Sequence, residues 1–172
     1  MCELENSIFE KHPDLKPALY TRYVDDVCMV THSDSDIPRI IEKFKSNSVL
    51  NFTFELEKSQ NLSFLDCLIT RYDSRFETSV YVKDTSMGDC INYKSICPDK
   101  YKTGVIKTLL HRGYHVSSDH DTFQEEVRRV KQLLTNNNFP ADIIDGEVQN
   151  FLERKQNPMI SVDGREKVNI FF

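Results

Sequence analysis

Two adjacent carboxylates, Asp25 and Asp26, interrupt an otherwise apolar run, TRYVDDVCMV, from Thr21 to Val30. Carboxylate oxygens are the hard ligands that Mg²⁺ prefers, and a divalent ion held by them can serve in-line phosphoryl transfer. Neighbouring side chains on a strand point to opposite faces, so such a pair contributes unequally to one ion, and a two-metal site calls for another carboxylate from a second strand. Asp also has an ordinary role at hairpin tips, where it caps local backbone groups. A second constellation, Cys90, Cys97, His111 and His115, reads C-x6-C-x13-H-x3-H, with the histidines one helical turn apart. Its first gap exceeds the roughly two to four residues usual between zinc ligands, so thiols in a core and a partly exposed helix face are the stronger reading. Asp66 in FLDC has a structural hydrogen-bonding role as its expected use, and His12 and His120 read as solvated positions.

The elements that must position these residues follow from periodicity. Leu4 and Ile8 suit a short helix over 2–11 that Pro13 stops. Leu19–Tyr23 and Val27–Thr31 are strand-like runs on either side of the carboxylates, a hairpin pattern. In SDSDIPRIIEKFKSNS, Ile37, Ile40, Ile41 and Phe44 fall on one side of an amphipathic helix. The period then becomes two: Phe52, Phe54 and Leu56 alternate with polar residues, and two further strands meet around Tyr72–Arg75. From Pro98 onward the chain reads as helical. Tyr101, Val105, Ile106, Leu109 and Leu110 share a face ending near Gly113, SSDHDTFQEEVRRVKQLLTNNN supplies a cap and a second helix, and a third follows Pro140.

Composition bounds the partners. The 172 residues carry a net charge of -5, which argues against a protein that coats nucleic acid over its whole surface. Only residues 90–137 are basic, with 8 Lys and Arg against 5 Asp and Glu, so phosphates are expected there if anywhere. Five cysteines with no CxxC pair favour reduced thiols. No apolar stretch reaches the roughly 18 residues of a membrane span, and the acidic start lacks the order of a signal peptide, so an unsecreted protein of the nucleus or cytoplasm, without a membrane partner, is expected.

Tyr23-Val24-Asp25-Asp26, with Arg22 before it and apolar VCMV after it, resembles the Tyr-x-Asp-Asp catalytic hairpin of reverse transcriptases. The order that follows, a helix, then NLSFLDCLITR, then VYVKDTSMGDCINYKSICPDKYKTGVIKTLLHRGYHVSS, is similar to the corresponding region of Penelope-like retroelements, over residues 1–155. The resemblance implies an α+β fold: a partial reverse-transcriptase palm of catalytic hairpin, helix and antiparallel strands, followed by an all-helical thumb. Residues 1–89 would be the partial palm, including a primer-grip-like hairpin over 64–83. Residues 90–155 would be a helix-turn-helix-like thumb, and 156–172 the start of a linker or a cut-short C-terminal region.

On the same resemblance, Asp25 is the catalytic metal ligand, Asp26 its lesser companion, and Tyr23 lies near the primer end and nucleotide. Mg²⁺ or Mn²⁺ is the cofactor, and an RNA or DNA template–primer duplex is the partner. Lys100, Lys102, Lys107, Arg112, Arg128, Arg129 and Lys131 are candidate phosphate contacts. The strand with the first catalytic Asp and the fingers would precede Tyr23, where only 22 residues stand, and Glu3, Glu5, Glu10 and Asp14 lie in no apolar strand. The expectation is therefore a fragment of an RNA-directed DNA polymerase, inactive alone, with no stable metal and with dNTP a substrate only in an intact enzyme. The alternative expectation is a non-catalytic nucleic-acid-binding helix pair over 98–137. Its link GYHVSSDHD is longer than the roughly three or four residues of a helix-turn-helix.

Overall fold

The computed structural model describes residues 2–86, 88 and 90–156. It is a mixed α+β chain of two compact units, Met1–Phe76 and Glu77–Phe172.

The first unit begins with α1 (Cys2–Lys11) and a single 3₁₀ turn at Pro13–Leu15. Strands β1 (Leu19–Tyr23) and β2 (Asp26–Val30) pair antiparallel from Leu19 opposite Val30 to Tyr23 opposite Asp26. Helix α2 (Asp36–Ser46) follows, then β3 (Asn61–Phe64) and β4 (Cys67–Arg71), which pair from Asn61 opposite Thr70 to Phe64 opposite Cys67. Ile8, Leu15, Ile40 and Phe44 are buried together, with Leu4, Phe9, Met29 and Phe52 packed around them. Phe9, Phe44 and Phe52 meet edge to face, the geometry that the ring quadrupole favours. Buried Glu5 is neutralised by Arg22, whose Nε lies 2.7 Å from Oε1.

Two expectations are corrected here. Residues 51–57 form no strand, although their alternation is regular: no ladder partner takes up their backbone, and Phe52 packs on the core while Phe54 and Leu56 are each 50 % exposed. The run LSFLDCLITR, read as one strand, is two, because Leu65 and Asp66 make a two-residue tip between β3 and β4; the expected link at Tyr72–Arg75 is present as well, the Tyr72 N–H donating to the Arg75 carbonyl at 2.8 Å. Asp66 is thus an exposed turn residue and not part of a strand. Leu-Asp is missed as a turn signal because the left-handed first residue, φ 53 at Leu65, is usually Gly or Asn. The β1–β2 tip repeats the device, with Val24 at φ 56 followed by Asp25.

The second unit opens on β5 (Phe76–Val80), which starts at the boundary, and continues with α3 (Asp99–Val116), α4 (His120–Asn136) and α5 (Ala141–Gln156). Along α4 the spacing of Phe123, Val127, Val130 and Leu134 puts one apolar stripe inward, against Ile106 and Leu110 of α3 and Ile144 and Val148 of α5. Each such side chain contributes about 1.5–3 kcal/mol when fully buried, so this three-helix core is the main stabilising feature of the unit. The thiol of Cys28 in the first unit is buried, which pushes its pKa up, and Cys28 and Cys97 are free thiols. Among the described residues, no helix is long and apolar enough to cross a membrane.

Candidate nucleic-acid interface

The junction between α3 and α4 is three residues, Ser117, Ser118 and Asp119, not the longer link expected from the sequence. Helix α3 runs through Gly113 to Val116. Gly113 is buried, and a Cβ there would lie 2.6 Å from Cγ of Glu126 on α4, so the glycine serves close approach of two helices and does not end one.

Several hydrogen bonds fix the junction. Asp119 accepts from the backbone N–H of Thr122 at 2.8 Å, and the Thr122 hydroxyl reaches back to the Asp119 N–H at 3.3 Å, a reciprocal capping box. The Thr78 hydroxyl on β5 donates to the carbonyl of Val116 at 2.6 Å, and the Ser118 N–H donates to the carbonyl of Thr78 at 2.9 Å. One strand thereby holds both sides of the turn. At the far end of α4, the N–H of Phe139 reaches Leu134 O and that of Asn138 reaches Thr135 O, with Asn138 at φ 64. This is a Schellman closure, and Phe139 and Leu134 supply its apolar contact in the core.

The capping bonds hold the Asp119 carboxyl below its ordinary pKa near 3.8, chiefly through the backbone N–H of Thr122. A depressed carboxylate pKa means that the stabilisation is complete above the unfolded-state value and is lost as pH falls through the folded-state value. Replacing Asp119 with Ala is therefore expected to lower Tm at neutral pH and to flatten the acid side of the stability profile below about pH 4. Thermal melts of both proteins from neutral to acidic pH check this; parallel curves would contradict it.

The candidate phosphate contacts are differently placed. Lys100 and Lys107 are exposed on α3, Lys100 Nζ standing 5.2 Å from the Tyr101 ring centre and Lys107 Nζ 3.6 Å from Glu147. Lys102 pairs with Asp99 at 3.3 Å and lies 4.8 Å from the Tyr93 ring centre. Arg112 is half-buried, and its Nε is buried without a hydrogen-bond partner among the described residues. Arg128 is exposed, with only a loose contact to Glu125 at 3.8 Å, and Lys131 meets Asp145 at 2.6 Å. Exposed pairs of this kind contribute about 0–1 kcal/mol and exchange partners readily. Arg129 differs: both of its contacts to buried Glu126 are 2.6 Å, so it neutralises an interior charge.

A row not noticed in the sequence emerges on α4, where Arg128, Gln132 and Asn136 succeed one another at i, i+4 and i+8 and are all exposed. Gln132 Nε2 donates to Asn136 Oδ1 at 2.8 Å, and both residues line an open recess with Ser86, Gly88 and Asn137. The i, i+4 spacing of polar residues was the available signal. The exposed face of α5 carries Asp142, Asp145 and Glu153 beside Arg154, and α4 carries exposed Asp121 and Glu125 beside Arg128, so the exposed lysines of α3 are the least offset by acids.

In the first unit, Tyr23, Asp25 and Asp26 are exposed at the β1–β2 tip. Among the described residues no three His, Cys, Asp or Glu side chains gather as a metal cluster. The four residues Cys90, Cys97, His111 and His115 accordingly do not assemble. Only the histidines meet, Nε2 to Nε2 at 3.3 Å.

Residues 89–149 match the animal helix-turn-helix domain, a span that takes in α3, α4 and the first part of α5. No curated protein and no solved structure matches the chain. The family match overturns the reverse-transcriptase resemblance: the segment which that resemblance makes a polymerase thumb matches a helix-turn-helix domain, and no polymerase family match stands behind the Asp25–Asp26 hairpin. Over about a third of its 172 residues, the chain is similar to the animal helix-turn-helix domain.

Proposed function

We propose that residues 89–149 are a non-catalytic nucleic-acid-binding module. The observation that carries this reading is the three-residue, doubly capped junction between α3 and α4, which is the link length of a helix-turn-helix. In that arrangement the second helix enters the major groove, and α4 offers Arg128, Gln132 and Asn136, side chains that suit the acceptor edge of guanine and the amide-like edge of adenine. Lys100 and Lys107 of α3 are the phosphate contacts, while Arg129 is committed to Glu126. With a chain charge of -5, affinity for random duplex is expected at the weak end, at a Kd of about 10⁻⁴–10⁻⁶ M near physiological salt.

Fluorescence anisotropy of the full chain on a mixed-sequence DNA duplex, from about 50 to 200 mM salt, tests the proposal. Binding should weaken steeply with salt, and Lys107→Gln should reduce the log–log slope by about one. Arg128→Ala should relax sequence preference in a selection experiment and leave the slope nearly unchanged. Absence of duplex binding at the lowest salt, or a slope near zero, would refute it.

A further inference from the structure

We infer that His111 and His115 of α3 form a chelating pair for one borderline divalent transition-metal ion of the Zn²⁺, Ni²⁺ or Cu²⁺ class. The two residues stand at i and i+4, so their side chains rise from one face of the helix, and both are exposed. Their Nε2 atoms lie 3.3 Å apart. Two imidazole nitrogens bound to one zinc at about 2.0–2.1 Å, with an angle between right and tetrahedral, stand about 2.9–3.4 Å apart. The observed spacing falls inside that window, so a metal can be held with little rearrangement of the backbone.

The two Nε2 atoms share a hydrogen bond, one ring donating and the other accepting. The ring centres are 4.3 Å apart and the planes are tilted by 40°. A metal ion would take the place of the shared proton, with both nitrogens as lone-pair donors. Tyr114 meets His115 edge to face, with ring centres 5.5 Å apart, and the Lys155 Nζ sits 4.1 Å from the Tyr114 ring centre. Partial burial, then the neighbouring His111 and Lys155, hold His115 below its ordinary pKa. Imidazole selects this class of metal over Mg²⁺ or Ca²⁺, which prefer oxygen. The remaining coordination positions are open to solvent, as befits a two-ligand site on a helix surface.

The site is independent of the Asp25–Asp26 hairpin and does not use Cys90 or Cys97. It also stands apart from the nucleic-acid reading, since it requires only α3. Calorimetric titration of the metal-free full chain with Zn²⁺, and separately with Cu²⁺, should give one strong site per chain, tighter for Cu²⁺ as the divalent series predicts. His111→Gln and His115→Gln should each weaken binding at least about tenfold, since losing a ligand costs no less than losing a ligand's supporting partner. Cys97→Ser should bind as the parent does. Imidazole nitrogen NMR signals of both histidines should shift on saturation, while far-UV circular dichroism keeps the exposed-site variants comparable. A stoichiometry near zero overturns the inference, as does unchanged affinity in either histidine variant or loss of the site in Cys97→Ser.

Discussion

Gly113→Ala is expected to destabilise the helical unit by about 1–2 kcal/mol, although alanine is the better helix former. In an exposed helix interior the change would gain about 1 kcal/mol. Here the new methyl meets Glu126 Cγ at 2.6 Å and Cβ at 3.5 Å, near the root of a side chain whose carboxylate is clamped by Arg129. Neither atom is a mobile tip, so α3 and α4 must separate, and overpacking of this sort costs about 1–3 kcal/mol. Gly113→Val, with two further methyl groups, should cost more. Gly104 and Gly146 provide internal controls because nothing lies within 4 Å of a Cβ built at either. Alanine at those positions is expected to stabilise by about 0.5–1 kcal/mol. Chemical denaturation of the four variants measures all of this. A neutral or stabilising Gly113→Ala would show that the helix contact is looser than the structure has it.

Arg129→Met should be a costly change on α4. It leaves Glu126, only 6 % exposed, as an uncompensated interior charge. Removing one partner of a fully buried pair costs about 3–5 kcal/mol. The Arg129 side chain is 34 % exposed, so water can reach part of the vacated space, and about 2–3 kcal/mol is the expected loss. The double variant Glu126→Met with Arg129→Met should recover most of it, since an apolar pair of similar volume avoids both desolvation penalties. A double-mutant cycle separates the coupling from the two single effects. If Arg129→Met alone stays within about 0.5 kcal/mol of the parent, the pair is incidental and Arg129 returns to the pool of available phosphate contacts.

These two residues share a boundary between local and tertiary information. Arg129 lies in a basic stretch, Arg128-Arg129-Val130-Lys131, and by type alone each of the three is an equal candidate for phosphate. Burial of Glu126 one turn earlier removes Arg129 from that set, whereas Arg128 stays solvated. Gly113 likewise has a local reading, as a helix stop, that is valid in general. It fails because the residues after it, Tyr114 to Val116, continue hydrogen bonding in α3, and Val116 O is taken up by Thr78, 38 positions away.

The sequence by itself determined the α+β character, the confinement of strands to the first half and the all-helical second half, the amphipathic faces of α2 and α4, and the hairpin around Val24–Asp25. Each of these depends on the repeat of apolar residues over a few positions, and burying that repeat is what stabilises the element. Only the tertiary structure decided that residues 51–57 form no strand, that α3 reaches Val116 and leaves a three-residue junction, and that Cys90 and Cys97 do not gather with the histidines. The reason is common to these three. A local pattern specifies which face seeks burial, but the partner that satisfies a backbone group, fills a gap or neutralises a charge is supplied by a distant segment, whose approach no spacing along the chain encodes.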